Sequence, residues 1–200
     1  MANSGFTEKK DSPEHFKVVL FCGSSGAIAV LEDFLLHLKP KVKAAIVVVL
    51  HRKIDLQGHL AKYLDKKAKV TVKTIEHGTP LEQGTLFMVP AGYHCILEKD
   101  MSLSLDLSEK VMFSRPSADV SLESFSYHLK DRLIAVIVSG ANSDGANGVK
   151  WVKKRKGKVI VQDPSEAFAK PMPSAAIEAI AAVDHIVPSR EINTIVTKYL

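Results

Sequence analysis

Cysteine is scarce in this 200-residue chain: Cys22 and Cys95 are the only two. They make no disulfide framework and belong to no Cys/His cluster at zinc spacing, so no metal set and no cofactor is expected. The opening residues, Met1 to Lys17, lack the apolar core of a signal peptide. The longest apolar run, Ala44 to Leu50, is far short of the ~20 residues a membrane span needs, which argues against membrane insertion. A cytoplasmic protein with reduced thiols is the expectation. Aromatic residues are only 6% of the chain and are not interleaved with basic ones, so single-stranded nucleic acid is not an expected partner. The net charge of +5 favours acidic partners by long-range attraction and is too mild to imply nucleic acid.

What is present reads as one globular domain. A chain of this length buries roughly 70% of the surface it exposes when unfolded, enough to hold together without a metal or disulfide. Residues 1–15 are polar and aperiodic and read as a disordered tail; the folded domain is expected over 16–200. From Lys17, short apolar runs alternate with amphipathic stretches. Strands are predicted at Lys17–Cys22, Ala45–Leu50, Val70–Lys73, Leu133–Val138 and Lys158–Val161. Helices are predicted at 27–38, 56–64, 118–130, 145–156, 173–182 and 191–200, the fourth stopping on Gly157 as its C-cap. Between them lie short segments at 84–90, 94–98 and 102–106, the last two spaced for an antiparallel hairpin across Lys99–Met101. Repeated strand–helix units imply a doubly wound α/β fold. Its sheet would be mostly parallel with helices on both faces, a Rossmann-like three-layer arrangement with a short antiparallel hairpin.

Sites in such sheets lie at the carboxyl ends of the strands. The first strand runs into Gly23-Ser24-Ser25-Gly26-Ala27, the second into His51, and Leu133–Val138 into Ser139-Gly140-Ala141-Asn142-Ser143-Asp144-Gly145. A serine, a histidine and an aspartate thus stand at equivalent places on one sheet edge. Together they can transfer an acyl group: the histidine takes the serine proton, and the carboxylate fixes the tautomer and stabilises the imidazolium. The backbone N–H groups at the start of the helix after Ser25 would serve an oxyanion. Each residue also has a plainer explanation. The Gly-Ser-Ser-Gly turn could be a phosphate loop, His51 a strand-end histidine, Asp144 a helix N-cap. Their joint placement favours the catalytic reading. His94, after Pro90-Ala91-Gly92-Tyr93, could approach the same place. Lys153–Lys156 reads as a solvated helix end.

These motifs resemble those of the chemotaxis protein-glutamate methylesterase (CheB-type) catalytic domain, from about Lys17 to the C-terminus. Gly23-Ser24-Ser25-Gly26-Ala27-Ile28 stands where the family has Gly-Ala-Ser-Thr-Gly-Gly. His51 follows the second strand as the family's histidine does. Ser139–Ala146 matches Thr-Gly-Met-Gly-x-Asp-Gly-Ala. Val89-Pro90-Ala91-Gly92, Ser114-Arg115-Pro116-Ser117-Ala118-Asp119 and Lys170-Pro171-Met172-Pro173 resemble further segments. The resemblance implies catalysis by Ser25, His51 and Asp144, with backbone N–H groups of Gly26 and Ala141 as oxyanion donors. It implies hydrolysis of glutamate methyl esters on receptor helices, and it allows deamidation of receptor glutamines. Arg52, Lys53 and Arg115 are the expected contacts to a glutamate-rich substrate. Family members usually carry an N-terminal receiver domain. Nothing in these residues matches one, so the chain is expected to act without that lid, and a separate receiver domain is a conceivable partner. Gly26, Ala141 and Asn142 depart from the family's threonine, methionine and glycine. The competing function is a non-catalytic, nucleotide- or anion-binding module. It would lack both a Gly-x-Gly-x-x-Gly turn and an acidic residue placed for a ribose.

Overall fold

The structure, a computed structural model, describes residues 16–53 and 59–200. The expected tail at 1–15 and residues 56–58 of the second predicted helix lie outside the described residues. The strands are β1 (Lys17–Gly23), β2 (Ala44–Leu50), β3 (Thr71–Thr74), β4 (Thr79–Pro80), β5 (Thr85–Met88), β6 (His94–Leu97), β7 (Ser102–Asp106), β8 (Leu133–Ile137), β9 (Lys158–Gln162) and β10 (His185–Val187). The helices are α1 (Ala27–Leu36), α2 (His59–Asp65), α3 (Ala118–Leu129), α4 (Ala146–Lys154), α5 (Pro171–Glu178) and α6 (Ser189–Thr197).

Seven strands form one parallel sheet in the order β10-β9-β8-β1-β2-β5-β3. All seven residues of β2 are buried, which explains why its apolar run does not alternate. In β1 the pleat divides the side chains between two cores. Val18, Leu20 and Cys22 pack with Leu122 and Phe125 of α3, Val149 of α4 and Met172 of α5. Val19 and Phe21 pack with Leu31 and Phe34 of α1 and Ile192 of α6. Each large side chain so buried contributes about 1.5–3 kcal/mol. The chain passes from β1 to β2 on one side and returns to lay β8 on the other, so β8, β1 and β2 are adjacent. Sites in open α/β sheets form at the carboxyl ends of strands beside such a reversal.

The expected β6–β7 hairpin forms, and it belongs to a separate antiparallel sheet, β4-β7-β6, beside α3. The two-residue β4 and the three-residue β10 were not anticipated, being too short for a hydrophobic period. Helix α5 starts two residues earlier than expected, with Pro171 in its first turn, where the missing N–H is no loss. The end of α4 is also different. Arg155 is the C-cap, and the left-handed residue is Lys156 (φ 69°), while Gly157 has no positive φ. Gly157 is required for space instead: a Cβ there would lie 2.7 Å from Val152 Cγ1 and 3.1 Å from the Leu133 carbonyl oxygen.

The two positions therefore respond in opposite directions. Lys156→Gly relieves a left-handed residue, which strains a side-chain-bearing residue by about 1–2 kcal/mol, and is expected to raise the midpoint of urea unfolding. Gly157→Ala forces a backbone shift of the kind that destabilises by about 1–3 kcal/mol. A stabilised Gly157→Ala would show that the close approach at this position does not require glycine.

Candidate active site

The turn after β1 is built around close backbone approach. Gly26 is the N-cap of α1 at φ 83°, a conformation that suits glycine, and a Cβ there would meet Phe168 Cβ at 2.5 Å and Ser139 Oγ at 2.9 Å. Ser24 N–H donates to the Ser139 carbonyl (2.8 Å). The Ser139 hydroxyl donates to the Ser25 carbonyl (2.6 Å) and accepts from Ala169 N–H (2.8 Å). Ser139 N–H in turn donates to Gln162 Oε1 (2.9 Å). The ends of β1, β8 and β9 are thus fastened to one another, and Ser25 is left exposed at the top. Among the described residues, the N–H groups of Gly26 and Ala141 make no hydrogen bond, which leaves both available to an incoming oxygen.

The loop after β8 carries Asp144, fully buried. It does not cap its own helix: Gly145 is the N-cap of α4, with no side-chain cap. The carboxylate lies instead at the N-terminus of α3, where orphan N–H groups and the helix dipole favour an anion. Ala118 N–H (2.6 Å), Asp119 N–H (3.0 Å) and the Ser117 hydroxyl (2.8 Å) all donate to it. Its Oδ2 also accepts from His51 Nε2 at 2.7 Å, with the His51 side chain 10% exposed. Burial, the largest influence, pushes the Asp144 carboxyl up; the hydrogen bonds from His51, Asp119, Ala118 and Ser117 outweigh it, and its pKa lies below the ordinary value. Neighbouring Asp119 is pushed up, first by burial and also by the charge of Asp144. Cys22 lies beneath the turn, and its thiol is raised by burial and then by the Asp144 and Asp119 charges, so it stays protonated and inert. Cys95 is pushed up to about 12 by burial.

Because Asp144 accepts from Nε2, the neutral imidazole carries its proton there and presents a bare Nδ1. This is the reverse of the ring orientation in the familiar serine proteases. The structure brings His51 and Asp144 into contact and sets Ser25 on the adjoining strand end, as the sequence suggested. Nδ1 does not meet Ser25: among the described residues the hydroxyl beside it is that of Ser114, at 3.2 Å. The Arg115 guanidinium donates from Nη1 to the carbonyls of Leu107 and Ser108, both at 2.7 Å, and so holds its own loop. Arg52 is partly buried and Lys53 exposed. His94 stands one layer back. Its Nδ1 accepts from Ser117 N–H (3.1 Å) and its Nε2–H donates to the Glu109 carbonyl (2.9 Å), so it steadies the serine that steadies Asp144. No group of three or more His, Cys, Asp or Glu among the described residues is arranged to hold a metal.

A family profile for CheB methylesterase matches residues 19–196. The chain belongs to the CheB methylesterase family. The solved catalytic domain of the Thermotoga maritima CheB methylesterase superposes with a TM-score of 0.87 at 29% identity, covering 92% of this chain and 99% of that one. A Geobacillus kaustophilus protein named protein-glutamate methylesterase/protein-glutamine glutaminase is 37% identical over 175 residues, 86% of this chain and 50% of that protein. A Leptospira interrogans relative whose name carries the same two activities is 35% identical over 178 residues, 89% of this chain and 92% of its own length. The chain thus spans about half the length of one family relative and nearly all of another. The family's fold, a mostly parallel sheet between helices, is the fold expected from the strand–helix pattern.

Ser117 could have been found from the sequence, as a serine immediately before a predicted helix. Ser114, Ser139 and Gln162 carry no such signal, since their partners lie 23 or more residues away.

The depressed Asp144 pKa has a direct consequence. A carboxylate with a lowered folded-state pKa contributes stability that is present above its unfolded value of ~3.9 and is lost as the pH falls through the lower folded value. Asp144→Asn is expected to lose about 1–3 kcal/mol at neutral pH, as buried donors lose their charged acceptor. Urea unfolding of both proteins should show that difference shrinking below pH ~4. A difference constant down to pH 3 would mean that the charge of Asp144 is not what the donors hold.

Proposed function

We propose that this chain is a serine hydrolase that removes methyl esters from glutamate side chains of a receptor-type signalling protein, with Ser25 as nucleophile, His51 as base and Asp144 as the carboxylate that orients it. One observation carries the assignment. A buried carboxylate, kept ionised by the α3 N-terminus, grips one nitrogen of a histidine that stands on the strand end next to an exposed serine, its other nitrogen bare of a proton beside the Ser114 hydroxyl. Membership of the family and the paired activity in its relatives' names supply the substrate class. They make glutamine deamidation by the same acyl-enzyme route part of the proposal.

The chemistry follows from the geometry. His51 Nδ1 takes the Ser25 proton as Oγ bonds to the ester carbonyl carbon. The N–H groups of Gly26 and Ala141 receive the oxygen that becomes negative; one such donor is worth ~3–4 kcal/mol in a known protease. The Nδ1 proton passes to the departing methoxide, releasing methanol, and water then cleaves the acyl-enzyme by the same route. The exposed position of Ser25, next to Gly26 with exposed Phe168 packed against it, suits a substrate presented on another protein. A nucleotide-binding module is disfavoured. Large recesses of ≈ 840 and ≈ 1060 Å³ are lined by residues at the opposite, amino-terminal edge of the sheet, and the Gly23–Gly26 turn packs against Ser139 and Phe168. A cytoplasmic location and regulation by a separate receiver domain belong to the same proposal.

Methanol release from a methylated receptor fragment tests it. Ser25→Ala is expected to lower turnover by orders of magnitude, while Ser24→Ala retains most of it. Equal losses in both variants would remove the nucleophile assignment. Substrate capture is expected to use Arg52 and Lys53 beside His51. Attraction between exposed charges is screened over ~8–10 Å at physiological salt. The apparent KM should therefore rise with salt and with the Arg52→Ala/Lys53→Ala pair, with kcat little changed. A KM indifferent to both would exclude electrostatic capture and leave the nucleophile untouched.

A further inference from the structure

The turn Val111–Ser114 is closed by reciprocal backbone hydrogen bonds: Val111 N–H to the Ser114 carbonyl (3.2 Å) and Ser114 N–H to the Val111 carbonyl (2.9 Å). Its two central residues, Met112 (φ 48°) and Phe113 (φ 62°), are both left-handed, although neither is glycine. Such conformations are strained and persist only where surrounding contacts impose them. Here the contact is with the candidate active site. Asn142 Nδ2 donates to the Met112 carbonyl (3.3 Å) and to Ser114 Oγ (3.4 Å), and Asn142 Oδ1 accepts from Asp144 N–H (3.3 Å). One side chain thus ties the strained turn to the loop of the catalytic aspartate. It is also one of the residues at which this chain departs from the family's glycine.

The result is a particular placement of the Ser114 hydroxyl, 3.2 Å from His51 Nδ1 and 3.4 Å from the Met112 carbonyl. Proton accounting fixes the roles. The His51 proton is on Nε2, held by Asp144, so Nδ1 can only accept, and Ser114 must be its donor. Among the described residues Ser25 makes no side-chain hydrogen bond. The lone pair that has to take the Ser25 proton is therefore already occupied.

We infer that Ser114 is a positioning residue that caps the catalytic base in the resting enzyme, occupying Nδ1 and keeping it from Ser25 until substrate is bound. The inference rests on the proposed triad and adds a control element within it. At 3.2 Å the contact is at the long end for a hydroxyl donor, so it is readily displaced. The Ser114 O–H then turns to the Met112 carbonyl, its second acceptor within reach. Ser25 O–H approaches the vacated Nδ1 and gives up its proton as Oγ attacks the ester carbon. Phe113, 96% exposed on the same turn, is where a docking protein would press to shift the cap.

The test is the rate at which a small alkyl fluorophosphonate labels Ser25 in the full chain, followed by intact mass. The probe is too small to press on Phe113, so it reports the resting state. Ser114→Ala is expected to label about two- to tenfold faster than the wild type, the factor one neutral hydrogen bond is worth. Ser114→Thr, which keeps the hydroxyl, should label at the wild-type rate. Asn142→Gly, which frees the turn and leaves Ser114 in place, should label about twofold faster. A purely structural Ser114 would instead give slower labelling in Ser114→Ala. Rates at or below the wild type in both Ser114→Ala and Asn142→Gly overturn the cap while leaving the triad standing. Labelling that survives Ser25→Ala overturns the triad, and the cap with it.

Discussion

A carboxylate buried without partners would take up a proton, and a protonated Asp144 could neither fix the tautomer of His51 nor stabilise its charged form. The surroundings of Asp144 therefore decide whether the site can work. The fold answers with the N-terminus of α3, whose first N–H groups converge on the carboxylate together with the Ser117 hydroxyl and His51. This helix belongs to neither of the strands that carry Ser25 and His51. It arrives after the small antiparallel sheet, between β5 and β8 in sequence. The excursion through β6 and β7 thus brings an anion-binding helix end over the switch point of the parallel sheet.

That requirement radiates outward. Ser117 is held by His94, which is fully buried and bonded at both ring nitrogens. Asp119 links α3 to α4 through Gly148 N–H (2.7 Å). On the other side, Ser139 and Gln162 bind the ends of β8 and β9 to the turn of Ser25, and Gly26 lets Phe168 close over that turn. A glycine in place of the family's threonine follows from this packing, since any Cβ at position 26 would meet Phe168 and Ser139. The departure reads as repacking around the turn that carries Ser25.

Much of this was legible in the sequence because a doubly wound sheet converts position along the chain into position in space. Apolar runs marked β1, β2 and β8, and the residues just past them, Ser25, His51 and Asp144, fell on one edge as the topology requires. The finer relations were not legible. Asp144 precedes a glycine and a helix, so local pattern offered the N-terminus of α4, whereas tertiary packing gives it that of α3. Gly157 was read by the usual preference of glycine for the left-handed C-cap, whereas Lys156 takes that conformation and Gly157 relieves a close approach. Ser114 sits in a turn without hydrophobic period, and its partner His51 is 63 residues away. Pattern reports what each segment does alone, and these three features depend on a second segment.

The orientation of the His51 ring carries the central claim, because Nε2 on Asp144 is what leaves Nδ1 bare, as the proposed base must be. Nitrogen-15 NMR of the imidazole at neutral pH measures it directly. The expected spectrum has the proton on Nε2, with a downfield proton resonance that disappears in Asp144→Asn, and an unprotonated Nδ1. A proton found on Nδ1, or an Nε2 proton indifferent to Asp144→Asn, would contradict it.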